Sequence, residues 1–563
     1  MKLSKIIYIA ACGIALASCQ GMDLTPPDKY SEKDFWKTAE DYCLAANEFY
    51  WNLDSFHGSD NFADYDLKAD LATKADLATS YFGFNNVSNG RWLPTESDGI
   101  WDNAYSHLRQ INILLQHVDA MKTDDPAILR YKGEALFFRA YEYFRLLKRF
   151  GDVPLVKTVL DVNSPELFGE RTPRKEVEDA ILEDLKEACE YLPTKNELKA
   201  EETGRITLGA AKAFRARVAL FVGTWAQNHK HRPDALELLG IAKQEAKEII
   251  DSKDYDLWKG EKYGKENYRQ LFLEAGDNSC ESILDRQYGK GVGSGTTHPI
   301  SDNASAGYLG GATKKFADMF LDKNGLPITN INSCFHGYGS IESEYEDRDP
   351  RMTCVLQVPG RQYIYASTNG KYETCPVSFS GTSSTKTGYR VWKYISDVPY
   401  IFHGLAYFNA HLIRYAEVLL IYAEATYELS GSISDEDLDM TINKIRARVG
   451  MPRLTNSFVT SNGLDMREEI RRERTIELCF ESSRYDDLRR WKTAEVEMPM
   501  PLKGVKFSNY ADANETLDPI LDENGFVIAE QDRRFRPTRD YLAPIPTKQI
   551  NMTNGAIKQN PGW

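Results

Sequence analysis

Apolar side chains return every three or four positions over residues 129–148, where Leu136, Ala140, Tyr143 and Leu147 form one stripe and Phe137, Tyr141 and Phe144 widen it. That spacing predicts an α-helix with one buried face. Gly151-Asp152-Val153-Pro154 ends it, because proline cannot continue the helix and biases its predecessor toward extended backbone. The pattern returns at 206–225 through Ala210, Phe214, Val218, Phe221 and Trp225, and at 412–429 through Ala416, Leu419, Leu420, Ala423 and Tyr427. Further helices are expected at 100–117, 174–192 and 235–252. Ser31, followed by Glu32 and Asp34, offers an N-cap and an acidic first turn for an early helix. Lys68-Ala69-Asp70-Leu71-Ala72-Thr73 is repeated at once as residues 74–79, and these good helix formers are expected on a helix.

Small and aromatic residues at these spacings resemble tetratricopeptide helix pairs, which bury their faces only by stacking on neighbours. The fold class that follows is mainly α: a tetratricopeptide-like helical-pair scaffold, an α-α superhelix, with large irregular loop-rich insertions. Between about Glu281 and Phe402 the helical period fades and glycines interrupt it at 289, 291, 293, 295, 307, 310 and 311. Aromatics persist there, among them Tyr288, Tyr308, Tyr338, Tyr389, Trp392 and Tyr394. Long irregular stretches in a packed domain usually carry function, and this aromatic density argues against disorder, so a binding surface is expected here.

The first residues set the compartment. Met1 to Lys5 carry two lysines, Ile6 to Leu16 are apolar, and Leu16-Ala17-Ser18-Cys19 closes the run with small residues before a cysteine. This is a lipoprotein signal rather than a mature membrane span, which needs about 20 residues. Residues 1–18 are read as the leader, with Cys19 the lipidated residue. Residues 19–29, with Pro26-Pro27, are read as an extended tether. Several acyl chains on Cys19 would hold the protein where one would bind reversibly. Gln20, rather than Asp, after the cysteine argues against retention at the inner membrane. The body, 30–563, is expected as one unit with a helical part at 30–280, a loop-rich insertion at 281–411 and a C-terminal part at 412–563.

Net charge of −14 excludes a nucleic-acid partner, which needs clustered positive charge. Of nine cysteines, seven remain after Cys12 and Cys19; none forms a CxxC pair, and they read as packing residues. A disulfide from Cys334 to Cys354 or Cys375 stays open in an exported protein. No GxSxG elbow, HExxH or P-loop occurs, so no catalytic residue, metal or cofactor is expected. His229 and His231, flanking the turn before Pro233, read as a solvated loop. Asp60, Asp64, Asp66 and Asp70 have an acidic spacing, but Lys68 stands at a ligand phase and the loop glycine is missing, which disfavours calcium. Glu473, Glu477 and Glu481 recur every four residues on an expected helix and could be taken for a glycosidase pair. Arg471, Arg472, Arg474 and Arg484 crowd them, which predicts a structural ion network of permanently ionised carboxylates instead.

The last third carries a family resemblance. Residues 413–425, Ile-Arg-Tyr-Ala-Glu-Val-Leu-Leu-Ile-Tyr-Ala-Glu-Ala, resemble a signature helix of the SusD/RagB family, and 442–452, 471–491, Tyr541-Leu542-Ala543-Pro544-Ile545-Pro546 and Gln559-Asn560-Pro561-Gly562-Trp563 resemble its later segments in the same order. What the resemblance implies is a non-enzymatic, lipid-anchored outer-membrane protein that captures an oligosaccharide. It would pass the ligand, as a hinged lid, to a TonB-dependent transporter of the SusC type, with no cofactor. It further implies an aromatic arc on membrane-distal loops. By position these are Tyr81, Asn86, Arg91 and Trp92 before the 100–117 helix, and Tyr288, His298, Tyr308 and Tyr338 in the middle region. Trp101 is expected to pack. Peptide capture with the same transporter partnership, and less readily a glycoside hydrolase, are the alternatives.

Overall fold

A computed structural model describes residues 35–57, 62–74, 85–289, 297–305, 309–364, 372–374, 385–398, 404–510 and 518–563. Cys19 with the leader and tether, Ser31, Tyr81 and Tyr308 lie outside the described residues.

Eight helices of eight or more residues are found among them. Helix α1, Ala39–Asn47, starts in a capping box: the Asp41 amide donates to the Thr38 hydroxyl and the Thr38 amide to the Asp41 carboxylate. Helix α2, Gly99–Met121, is capped by Asp98. Helix α3, Pro126–Phe150, has Asp125 as cap and proline at its first position, where no amide is needed. Then come α4, Arg174–Tyr191, α5, Leu208–His229, and α6, Ala235–Ser252. Helix α7, Tyr415–Ser430, ends on left-handed Gly431, and α8, Met466–Glu477, begins on the Asp465 cap. Each of α2 to α8 packs on the next in this order, so every apolar stripe is buried by its neighbours. Phe137 and Phe144 of α3 meet Phe214 and Phe221 of α5. At Gly223 a Cβ would come within 3.1 Å of the Leu239 backbone nitrogen, so the glycine sets the close approach of α5 and α6.

The 281–411 region is built of short pieces, as its broken period predicts. Strands β1, Ala72–Thr73, β2, Ser282–Arg286, β3, Gly311–Ala312, β4, Gln362–Ile364, β5, Tyr372–Thr374, β6, Tyr389–Arg390, β7, Ala410–Arg414, β8, Leu502–Lys506, and β9, Phe526–Glu530, form four small antiparallel sheets in the orders β1-β3-β6, β2-β7, β4-β5 and β8-β9. Its aromatics are not all on the surface: Tyr389, Trp392 and Tyr394 are at most 2% exposed and belong to the core.

Three expectations change. The 412–429 helix starts at Tyr415, because the preceding apolar residues pair as β7 with β2. The first copy of the hexapeptide is not helical. Asp70 is drawn into an ion pair with Arg484, and Ala72–Thr73 pairs with β3, so tertiary partners override helix propensity. Cys334 and Cys354 are both free thiols, while Cys375 lies outside the described residues.

The C-terminal signature folds into an ion core. Arg351 bonds Glu473 at 2.6 Å and Glu477 at 3.0 Å; Arg414 bonds Glu281, Glu477 and Glu481 at 2.7–2.8 Å; Arg446 bonds Glu473, and Arg448 bonds Glu281 and Glu477. Burial alone would raise Glu473 and Glu477. The guanidiniums of Arg351 and Arg446 at Glu473, and of Arg448, Arg414 and Arg351 at Glu477, hold both below the usual carboxylate value. A permanently ionised, enclosed carboxylate is unfit as a glycosidase acid. Glu481 falls beyond the end of α8, after Phe480 at φ 59°, yet Arg414 and Lys393 hold it in the same network.

Candidate functional site

The turn Glu48–Asn52 continues α1 as a 3-10 segment, whose three residues per turn send consecutive side chains different ways. Phe49 goes into the core, edge-on to Phe138. Tyr50 donates to Glu134 at 2.8 Å and accepts from the Ile206 amide. Trp51 is left outside, 61% exposed. A tryptophan that displays this much ring forfeits about 1.5–3 kcal/mol of burial typical for a large apolar side chain, which calls for an explanation.

The β2–β7 ribbon places two more groups beside it. Strand alternation turns Asp285 inward, 2.8 Å from His411, and Arg286 the other way. The Arg286 Nη1 donates to the Tyr50 carbonyl, and its guanidinium carbon lies 5.0 Å from the Trp51 ring centre, within cation–π range. Two residues on, the Tyr288 amide donates to Asn409 at 2.8 Å and its hydroxyl accepts from the Phe56 amide at 2.9 Å. Its ring stacks on Phe56 and meets exposed His57 at 6.1 Å. Burial pushes the Tyr288 phenol up and the half-buried Arg286 guanidinium down. Trp51, His57, Arg286 and Tyr288 thus form a ledge with an open indole and fixed hydrogen-bonding groups. Such a surface can stack on the flat C–H face of a sugar and bond its hydroxyls.

Of the residues on this ledge, Tyr288 is a candidate on sequence grounds, whereas Trp51 and Arg286 are not singled out there. The run Phe49-Tyr50-Trp51 after an apolar helix reads as uniform core, and only the tightened turn separates the three. His298 is corrected. It is 0% exposed, its Nε2 bonds the Phe408 carbonyl at 2.8 Å, its Nδ1 lies 3.4 Å from the Ile300 amide, and burial pushes it down to about 3. It packs edge-on behind Tyr288 at 4.5 Å, so it supports the ledge and is out of a ligand's reach.

The other predicted residues fall into separate clusters. Asn86 and Arg91 are exposed on a turn that Arg533 and Arg534 fasten at Ser88 and Asn89. Half-buried Trp92 lies edge-on to Trp563 at 5.7 Å, with the Arg149 guanidinium 4.9 Å from its ring. Tyr338 donates to Asp318 and accepts from Lys314, its ring between Phe335 and Phe526. Trp101 is buried against Phe150.

The histidine pair differs from the solvated loop expected. His229 stacks on Trp225 and bonds the Arg489 carbonyl, and burial pushes it down to about 4; His231 bonds Glu178 at 2.9 Å. The acidic spacing is dispersed among cations, Asp64 to Lys74 and Asp70 to Arg484 and Lys315, with Asp60 outside the described residues. Among the described residues no group of three or more His, Cys, Asp or Glu is placed to hold a metal, and no helix is long and apolar enough to cross a membrane.

Stacked helix pairs bearing a loop-rich second half define a tetratricopeptide-like helical protein of the SusD-like architecture. The chain belongs to the SusD family, whose profile matches residues 280–563, while a second profile, described as starch-binding and associating with the outer membrane, matches 47–220. Membership places it at the outer membrane. It is 25% identical to the SusD-like protein P2 of Formosa agariphila over 593 aligned positions, covering 100% of both chains. A crystal structure of a SusD-like protein from Bacteroides fragilis superposes with a TM-score of 0.74 at 26% identity, over 95% of this chain and 99% of that one. A laminarin-binding SusD-like protein shares the fold, with a TM-score of 0.58 at 21% identity over 93% and 99%.

Proposed function

We propose that this protein captures an oligosaccharide at the outer membrane and hands it to a TonB-dependent transporter of the SusC type, binding without turnover. The observation that carries the reading is Trp51, an exposed indole held beside Arg286 and Tyr288 on a ribbon anchored to the core. Family membership and the laminarin binding of a SusD-like protein of the same fold support sugar as the ligand class. Stacking on one open ring gives weak, reversible capture, which suits a ligand that must leave for a pore. Lipidation at Cys19 supplies the attachment.

Affinity electrophoresis through a panel of polysaccharides tests the capture step. Retardation of the wild type by at least one glycan, lost in Trp51→Ala, is expected; equal retardation of both proteins removes the ledge from the site. Metabolic labelling with an alkyne fatty acid is expected to mark the wild type and not Cys19→Ala. Co-purification of a barrel-sized partner from detergent-solubilised outer membranes tests the transporter partnership.

A further inference from the structure

We infer that the ledge selects an anionic glycan, a sugar chain carrying carboxylate or sulfate groups, with Arg286 as the residue that reads the charge. The inference rests on the glycan-capture reading and narrows it.

Most buried or half-buried guanidiniums in this protein are matched with carboxylates, although buried Arg348 spends its donors on the Glu344, Ala317 and Phe320 carbonyls and Arg171 on the Asp152 carbonyl and the Asn560 amide oxygen. Arg351, Arg414, Arg446 and Arg448 each meet one or more glutamates, Arg205 meets Glu134, and Arg217 meets Glu417. Arg286 also lacks a carboxylate, and unlike Arg348 and Arg171 it lies against an exposed ring, that of Trp51, with the Tyr50 carbonyl as acceptor. Its sequence neighbour Asp285 is engaged elsewhere, facing His411 across the ribbon. Among the described residues no carboxylate is within salt-bridge distance of Arg286. Its polar and ring neighbours are the Tyr50 carbonyl, the Tyr288 phenol and the Trp51 indole, all uncharged. A partly desolvated cation without a counter-ion is costly and is retained where something supplies the anion. Guanidinium is the side chain best matched to carboxylate or sulfate oxygens, because its planar fork donates two parallel bonds.

The neighbours say what carries the anion. Trp51 offers a ring face for a sugar, and the guanidinium sits over the same indole, so one monosaccharide unit could stack and present its acid group within a single side chain's reach. A free inorganic anion would have no use for the exposed indole. A neutral glycan would leave the cation uncompensated. The net charge of −14 works against polyanion binding in general, so retention of one would have to come from a local site rather than from bulk attraction.

The test compares wild type, Arg286→Gln, Arg286→Lys and Trp51→Ala in affinity gels containing polygalacturonate, alginate, carrageenan, galactan, starch or laminarin. Wild type should be retarded by at least one acidic polymer. Carboxyl reduction or desulfation of that polymer should abolish retardation and tell uronate from sulfate. Arg286→Gln should weaken binding tenfold or more, Arg286→Lys should recover part of it, and thermal unfolding should show the variants folded. Retardation by neutral polymers alone, acidic binding indifferent to Arg286→Gln, or equal loss of acidic and neutral binding in that variant would overturn the inference while leaving Trp51-dependent glycan capture standing. No retardation of wild type by any polymer would sink the glycan reading itself, and this inference with it.

Discussion

The ion core and the ledge use the same chemical groups to opposite ends. In the core, four arginines and four glutamates from distant segments satisfy one another, and the cluster is sealed from water. At the ledge one arginine lacks a carboxylate and one tryptophan lacks a cover. The lesson is that a conspicuous motif and a functional site need not coincide. The arginine–glutamate signature that identifies the family is spent on holding the chain together, and the group proposed to meet a ligand carries no such motif.

The largest effect that would break this contrast is expected in the core. Glu477→Ala strips a partner from Arg351, Arg414 and Arg448 at once, so urea unfolding should show a loss of about 3–5 kcal/mol, the usual consequence of orphaning a buried charge. A stability change below about 0.5 kcal/mol would mean the network is decorative.

Next comes pH, because the ribbon under the ledge contains its own ion pair. Burial alone would lower His411, but Asp285 raises it to about 9, above the unfolded value of about 6.5. A raised pKa means the folded state holds the extra proton. The stabilisation is complete below pH 6.5 and is lost as pH rises from there through 9, at no more than about 1.4 kcal/mol per pH unit. His298, pushed down to about 3, has the opposite sign: its contribution is complete above 6.5 and is lost as pH falls toward 3. Stability measured across pH 6.5–9 should therefore decline in wild type and flatten in His411→Gln.

Smaller still is the stability effect at the ledge. Trp51→Ala should leave unfolding within about 0.5 kcal/mol of wild type while the dissociation constant for a bound glycan rises about tenfold, roughly 1.4 kcal/mol. Trp92→Ala sharpens the point from the other side. Its ring is already engaged by Trp563 and Arg149, so it should lose more stability and less affinity than Trp51→Ala.

The helices were legible because their signal is local. The stripes at 129–148 and 206–225 reappear as α3 and α5, and 235–252 is recovered as α6. Where partners lay far away in sequence, local reading failed: residues 412–414 look like the start of a helix until β2 pairs with them, and residues 68–73 look helical until Arg484 and β3 capture them. The ion network was legible from alternating charges on one expected helix. The ledge was not, since its members come from a short turn and a ribbon more than 200 residues apart, and nothing in the run Phe49-Tyr50-Trp51 says which ring faces out. His298 shows the reverse error, a polar residue in a loop-like stretch that the fold encloses.

The closed charge cluster also imposes an order of events in time. Helices α2 to α6 are consecutive in the chain and each packs on its predecessor, so they can dock as the chain emerges. Glu281, Arg351, Arg414 and Glu477 span almost 200 residues; Arg351 has Asp349 two residues away, but the full set of counter-ions is assembled only when all four segments have met. Until that moment these charges are better off in water, so the C-terminal half should stay open and hydrated while the helical half is already compact. Pulse-labelled hydrogen exchange during refolding would then show amides of α3 and α5 protected before those of α8.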